Sequence, residues 1–144
     1  MSSVASSILW PMLAHVGSVC MLYAWLTYAR TKAVMRGETT SSVFVLGREE
    51  PLEVARITRN LSNQFELPAI FYTLVVLLVA LGKVTAFDVV AAWVFVAGRV
   101  IHTLVQTLTD NVPLRGRVFM INFLAVAALA CHVALLALDG VGRP

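Results

Sequence analysis

Four apolar segments, each long enough to cross a bilayer, constrain this chain more than any other feature. A hydrocarbon core about 30 Å thick takes roughly 20 mostly apolar residues of helix, and the sequence supplies such stretches at about 4–29, 57–82, 84–109 and 114–138. Inside a bilayer the backbone has no water to bond, so segments of this kind close their hydrogen bonds within helices. Hydrophobic residues are 59% of the 144 and charged ones 13%, far too apolar a balance for an ordinary soluble globule. The expected fold is all-α: an integral membrane four-helix bundle, one domain over 1–144, with one sizeable hydrophilic loop at about 30–56. No Lys or Arg precedes the first segment, and its apolar run exceeds the roughly 7–15 residues of a secretion-signal core, so it reads as a retained helix.

The formal charge of +3 lies at helix ends rather than in a basic stripe interleaved with aromatics, so nucleic acid is not an expected partner. Arg30, Lys32, Arg36, Arg48 and Arg56 fill the first loop and Arg115 and Arg117 the third, whereas the second holds only Lys83. By the positive-inside rule the first and third loops face the cytoplasm and both termini face away from it; in a bacterium this is the inner membrane. Gly37, Gly47 and Pro51 mark turns in the first loop, and the apolar insert Val43 to Leu46 suits the membrane surface. The connection at Gly82 and Lys83 is short enough to make the second and third helices antiparallel neighbours, and Pro113 occupies a favoured place at the start of the last helix.

Polar residues within the spans carry the functional signal, because a charge at mid-membrane costs roughly 2.5 to 3.5 kcal/mol on insertion scales. Arg59, Asn63 and Glu66 fall at i, i+4 and i+7, one helical face that Ile70 and Thr73 continue. Arg99, His102 and Gln106 fall at i, i+3 and i+7, again one face. At a rise of about 1.5 Å per residue, Glu66 and His102 lie about 10 Å and Arg99 about 15 Å from the same membrane border, so antiparallel helices bring the two faces together. Pro68 is expected to bend the second helix just past Glu66 and to free the Gln64 carbonyl. An ion pair between Glu66 and Arg99 with a snorkelling Arg59 is the structural alternative. Asn63, His102 and Gln106 exceed what such a pair needs, whereas a zwitterionic, polyfunctional ligand uses them.

These residues resemble the MAPEG family, the membrane-associated proteins of eicosanoid and glutathione metabolism, in a bacterial-type form. RNLSNQFE matches the family's Arg-x-x-x-Asn-x-x-Glu pattern at Arg59, Asn63 and Glu66; RVIH matches Arg-x-x-His at Arg99 and His102; and Pro113, Leu114 and Arg115 match the arginine that opens the fourth helix. The resemblance covers all four spans. It implies a homotrimer with a glutathione site between protomers, held by Arg59, Asn63, Glu66, Arg99 and His102, with Gln106 and Arg30 as further candidates. Arg115 would then face the sulfur, where a fixed cation favours thiolate. The implied activity is a glutathione transferase or lipid-hydroperoxide peroxidase acting on lipophilic substrates drawn from the membrane lipid. The alternative is a non-catalytic lipid-binding or scaffold protein of the same fold. A transporter or channel ranks last, because the polar residues cluster towards one side of the membrane. Two positions depart from the family: Gln106 stands where several enzymes have tyrosine, and Gly116 where the prostaglandin synthase branch has serine.

The remaining polar or reactive residues read as structural. His15 and His132 are expected to bond locally, Asp88 to be solvated near the outer end, Asn122 to bridge helices, and Gly98 with Ala97 to permit close helix approach. Cys20 and Cys131 read as small packing residues and Trp10, Trp25 and Trp93 as interface or lipid-facing aromatics. No metal is expected, since no His, Cys and carboxylate set has ligand spacing.

Overall fold

Proline placement sets where the spans are interrupted. The computed structural model describes residues 3–46 and 49–141; the readings that fell on Gly47 and Arg48 lie outside the described residues. The first span is α1 (Ser3–Ser7) and α2 (Leu9–Met35), interrupted only at Ile8. Pro11 has no N–H with which to continue the ladder back to Ser7, and the interruption falls there. After a short helical turn, α3 (Val43–Leu46), the second span is also broken, into α4 (Leu52–Ser62) and α5 (Leu67–Ala80). Pro68 stands in the first turn of α5, and the chain unwinds over Asn63 to Glu66, where Glu66 reaches φ −89° and ψ −92°. The expected continuous second helix is thus two helices, with the break before the proline because the i−4 carbonyl loses its donor. α6 (Ala86–Leu108) and α7 (Val112–Val141) are unbroken.

The described residues are helical or irregular, with no strand, and four stretches are long and apolar enough to span a membrane: Val4–Met35, Leu52–Ala80, Ala86–Leu108 and Val112–Gly140. Large apolar side chains such as Leu13, Met21, Ile70, Leu77, Trp93, Leu104, Phe123 and Leu135 point outward. In water such a surface would drive association, whereas hydrocarbon tolerates it. The protein is an integral, multi-pass membrane protein. Cys20 and Cys131 also lie on this outer face rather than in the interior.

Two apolar cores hold the helices together. In the first, Leu22, Leu26, Ala29 and Ala33 of α2, spaced by four, three and four, meet Val54, Ile57 and Leu61 of α4. In the second, Phe71, Leu74, Val75 and Leu78 of α5 pack with Ala91, Ala92, Phe95 and Val96 of α6 and Ala125, Val126 and Leu129 of α7. Phe71 and Phe95 stack with centroids 4.3 Å apart, so α5 meets α6 through bulky rings and its backbone comes closer to α7 than to its hairpin partner.

The helix ends explain a misreading at Asp88. Thr85 and Asp88 form a capping box at the start of α6, and the second oxygen of Asp88 accepts from His132 Nδ1 at 2.8 Å. Asp88 is therefore fully buried, not solvated, because both of its oxygens accept from donors within the protein. Asn111 caps α7 in the same manner, accepting from the Leu114 N–H at 2.9 Å, with Pro113 in the first turn.

The closest backbone approach is between α6 and α7, and Gly98 is part of its cause. A Cβ added at Gly98 would overlap Oδ1 of Asn122 and lie 3.1 Å from its Cγ. Asn122 is fully buried and neither of its amide atoms has a hydrogen-bond partner among the described residues, so it fills the space as a wedge rather than bridging helices by a bond. Gly98→Ala should lower stability by about 1–3 kcal/mol, the usual range for overpacking. Denaturant titration in detergent measures this, and adding Asn122→Ala should recover most of the loss.

Candidate ligand site

Between the two cores lies a polar layer built on the α4–α5 break. Arg99, on α6, is only 2% exposed. Its Nη2 donates to the backbone carbonyl of Asn63 at 2.9 Å and its Nε to Oε1 of Gln64 at 3.1 Å. The carbonyl freed by the break is taken up one residue earlier than expected, at Asn63 rather than Gln64. Asn63 Nδ2 donates to Oε1 of Gln106 at 3.0 Å, tying the end of α4 to α6 a second time.

Arg59, Asn63, Glu66, Leu67, Arg99, His102, Arg115, Gly116 and Phe119 line one cavity of about 300 Å³. The two faces inferred from spacing are therefore brought together, joined by the first turns of α7. Three guanidinium groups, one carboxylate and one imidazole share this wall. The volume sits at the lower end of the roughly 300–1,000 Å³ of small-molecule sites. His102 is buried beside Phe119, with ring centroids 6.4 Å apart, and its Nδ1 has no partner among the described residues. Arg115 has no described ion pair. It lies just inside the N-terminus of α7, where the helix dipole adds positive potential to its own charge.

The ion pair between Glu66 and Arg99 that formed the structural alternative is not found within 4 Å among the described residues. Unwinding at 63–66 takes Glu66 off the helical face and leaves it exposed, and Gln64 turns inward in its place. Gln106 is buried but lies outside the main cavity; it lines a smaller one of about 120 Å³ that shares Arg59 and Arg115. Arg30 also lies elsewhere, bonded to Glu50 at 2.7 Å and Thr58 at 3.3 Å with its guanidinium over the Phe44 ring, where it fastens the 30–56 loop to α4. An ion pair between Arg56 and Asp110 closes the same end of the bundle.

Sequence reasoning missed Gln64, Asn60, His15 and Thr103 as a group. Asn60 and Gln64 are four apart, as are Arg99 and Thr103, and those spacings were the available signal. In the structure Gln64 Nε2 lies 3.4 Å from the Asn60 carbonyl and 3.5 Å from Thr103 Oγ1. His15 joins from α2, between Gln64 and the Tyr72 hydroxyl.

The family model described as "MAPEG family" matches residues 8–135 of the chain. No curated protein and no solved structure matches it.

The bonds of Arg99 go to neutral oxygens, so its charge has no counter-ion in contact among the described residues. Burying an unpaired ion costs several kcal/mol, and the two hydrogen bonds return about 1.5–3 kcal/mol each. The two effects nearly cancel. Arg99→Met also strips the Asn63 carbonyl of its donor, so it should lower unfolding stability in detergent by about 1–3 kcal/mol while removing affinity for anions. A loss above about 3 kcal/mol would make the guanidinium a structural strut instead.

Proposed function

The chain belongs to the MAPEG family, and from that premise we propose that it is a membrane-embedded glutathione-binding protein that presents the thiolate to lipophilic substrates, as a transferase or a lipid-hydroperoxide peroxidase. The observation that carries this reading is the shared wall of Arg59, Asn63, Glu66, Arg99, His102 and Arg115 around one cavity. Glutathione has two carboxylates, one ammonium group, two amides and a thiol. Three guanidinium groups match the carboxylates and leave one for the sulfur, Glu66 matches the ammonium, and Asn63 and His102 supply neutral bonding groups. Gln106 acts one step back by orienting Asn63. Arg30 contributes to the tripeptide only from a second copy of the chain, consistent with a site between protomers of a homotrimer.

Arg115 is the residue assigned to the chemistry. A fixed cation near the α7 N-terminus lowers the energy of thiolate relative to thiol, and thiolate is the nucleophile. The thiolate sulfur then bonds to an electrophilic carbon while the leaving group departs with the electron pair of the broken bond, or it attacks the distal oxygen of a hydroperoxide, breaking the O–O bond to give the alcohol after protonation and a sulfenic acid, which a second glutathione converts to the disulfide and water. The apolar outer surface allows the second substrate to enter from the lipid. The concentration of loop arginines at this end supports a site on the cytoplasmic side by the positive-inside rule.

A second reading, lipid binding without chemistry, is favoured by one feature: Gly116 and Phe119 line the wall near Arg115 and neither offers a hydroxyl to a sulfur. The two readings separate in a single series. Calorimetry should detect glutathione binding in both catalytic and non-catalytic forms of the first reading's site, and turnover of chlorodinitrobenzene or a lipid hydroperoxide should be present only in the first. Arg115→Ala should lower that turnover by about 100-fold, the effect of losing one transition-state charge partner, with glutathione affinity changed less than about threefold. Full activity in Arg115→Ala removes this residue from the chemistry, and absence of glutathione binding in the wild type removes the reading.

A further inference from the structure

We propose that Gln64, braced by His15, is a positioning residue: it fixes the plane of the Arg99 guanidinium so that its end edge, Nη1 and Nη2, is offered to the ligand's carboxylate. The inference rests on the glutathione-binding reading above and extends it to residues behind the cavity wall.

A guanidinium presents two hydrogen-bonding edges in one plane, a side edge of Nε–H with one Nη2–H and an end edge of the remaining Nη hydrogens. Nε of Arg99 is taken by Gln64 Oε1 at 3.1 Å and one hydrogen of Nη2 by the Asn63 carbonyl at 2.9 Å, the pair of donors that the side edge carries. Arg99 also lines the cavity, which leaves the end edge for a ligand. With Gln64 absent, one carbonyl alone would restrain the group, and a single contact does not fix a plane.

Gln64 is itself held by both lone pairs of its oxygen. His15 Nε2 lies 3.2 Å from the same Oε1 that accepts from Arg99. Because that oxygen only accepts, Nε2 carries the proton, and Nδ1 accepts from the Tyr72 hydroxyl at 2.6 Å. His15 is fully buried and Gln64 is 4% exposed, so water does not compete for these bonds. The amide nitrogen of Gln64 has looser contacts, at 3.4 to 3.5 Å, so the oxygen end is the one that determines its orientation. The residue type matters as well. A neutral oxygen orients the guanidinium without discharging it, whereas a carboxylate there would pair with Arg99 and compete with the ligand.

The test is glutathione calorimetry on the full chain in detergent, for wild type, Gln64→Leu, Gln64→Glu, Arg99→Lys and the Gln64→Leu/Arg99→Lys double variant, with thermal melting alongside. Gln64→Leu should weaken binding about tenfold, the equivalent of one well-aimed bond. In the Arg99→Lys background the same change should cost less than about twofold, because an ammonium has no plane to aim. Gln64→Glu keeps both acceptor contacts and should melt like the wild type, yet bind at least about tenfold more weakly. Equal losses from Gln64→Leu in both backgrounds, or wild-type affinity in Gln64→Glu, overturn the inference. If the wild type binds glutathione and neither Gln64 variant departs from it, only this inference falls; if the wild type does not bind, the functional reading falls first.

Discussion

The polar layer of this bundle depends on one buried cation whose bonding partners in the chain are neutral. Arg99 takes the Asn63 carbonyl and the Gln64 side chain, and both are available only because the second span breaks at 63–66. A continuous helix would use the Asn63 carbonyl in its own ladder and would carry Gln64 on a different face. Pro68 removes one donor from that ladder, the chain unwinds, and the guanidinium closes the gap. Two apolar cores, α2 with α4 on one side and α5, α6 and α7 on the other, hold this layer between them. The charge is retained at the expense of desolvation, a cost expected where it meets a ligand.

From this arrangement the rest of the site follows. Arg59 ends α4, Glu66 starts α5, and Arg115 stands in the early turns of α7, so three helix ends converge where α6 contributes Arg99 and His102. Helix ends carry unpaired backbone groups and tolerate charge, which is why a polar cavity forms here rather than among the apolar middles of the spans. The opposite end of the bundle treats its buried charge differently: both oxygens of Asp88 accept from within the chain, from Thr85 and from His132. One acid is consumed by structure, and one base is left open.

Much of this was legible in the sequence. The four spans follow from apolar runs of the right length, and the cavity residues Arg59, Asn63, Glu66, Arg99 and His102 follow from helical spacing and estimated depth. The break was harder to see, because Asn63, Gln64, Phe65 and Glu66 are compatible with helix and only Pro68 hinted at it. Its consequence, the exchange of Glu66 for Gln64 as the partner of Arg99, depends on a rotation of the chain that periodicity does not encode. Asp88 was misread for a related reason: its position near a helix start was visible, but its partner His132 lies 44 residues away and is brought to it by packing alone. Gln106 shows the limit of facing arguments, since a residue on the right face is turned aside when a nearer neighbour, Asn63, engages it; Arg30, named from the resemblance and not from a face, is held by Glu50.

The central claim is that Arg99 is held by neutral oxygens so that its charge remains for a ligand carboxylate. Density for glutathione in the purified protein, determined in a lipid nanodisc, tests this most directly. The account predicts the tripeptide in the cavity lined by Arg59, Glu66, Arg99 and Arg115, with one carboxylate across the Nη1 and Nη2 edge of Arg99 and the Gln64 bond to Nε intact. An ion pair between Arg99 and Glu66 with no tripeptide in that cavity would contradict it.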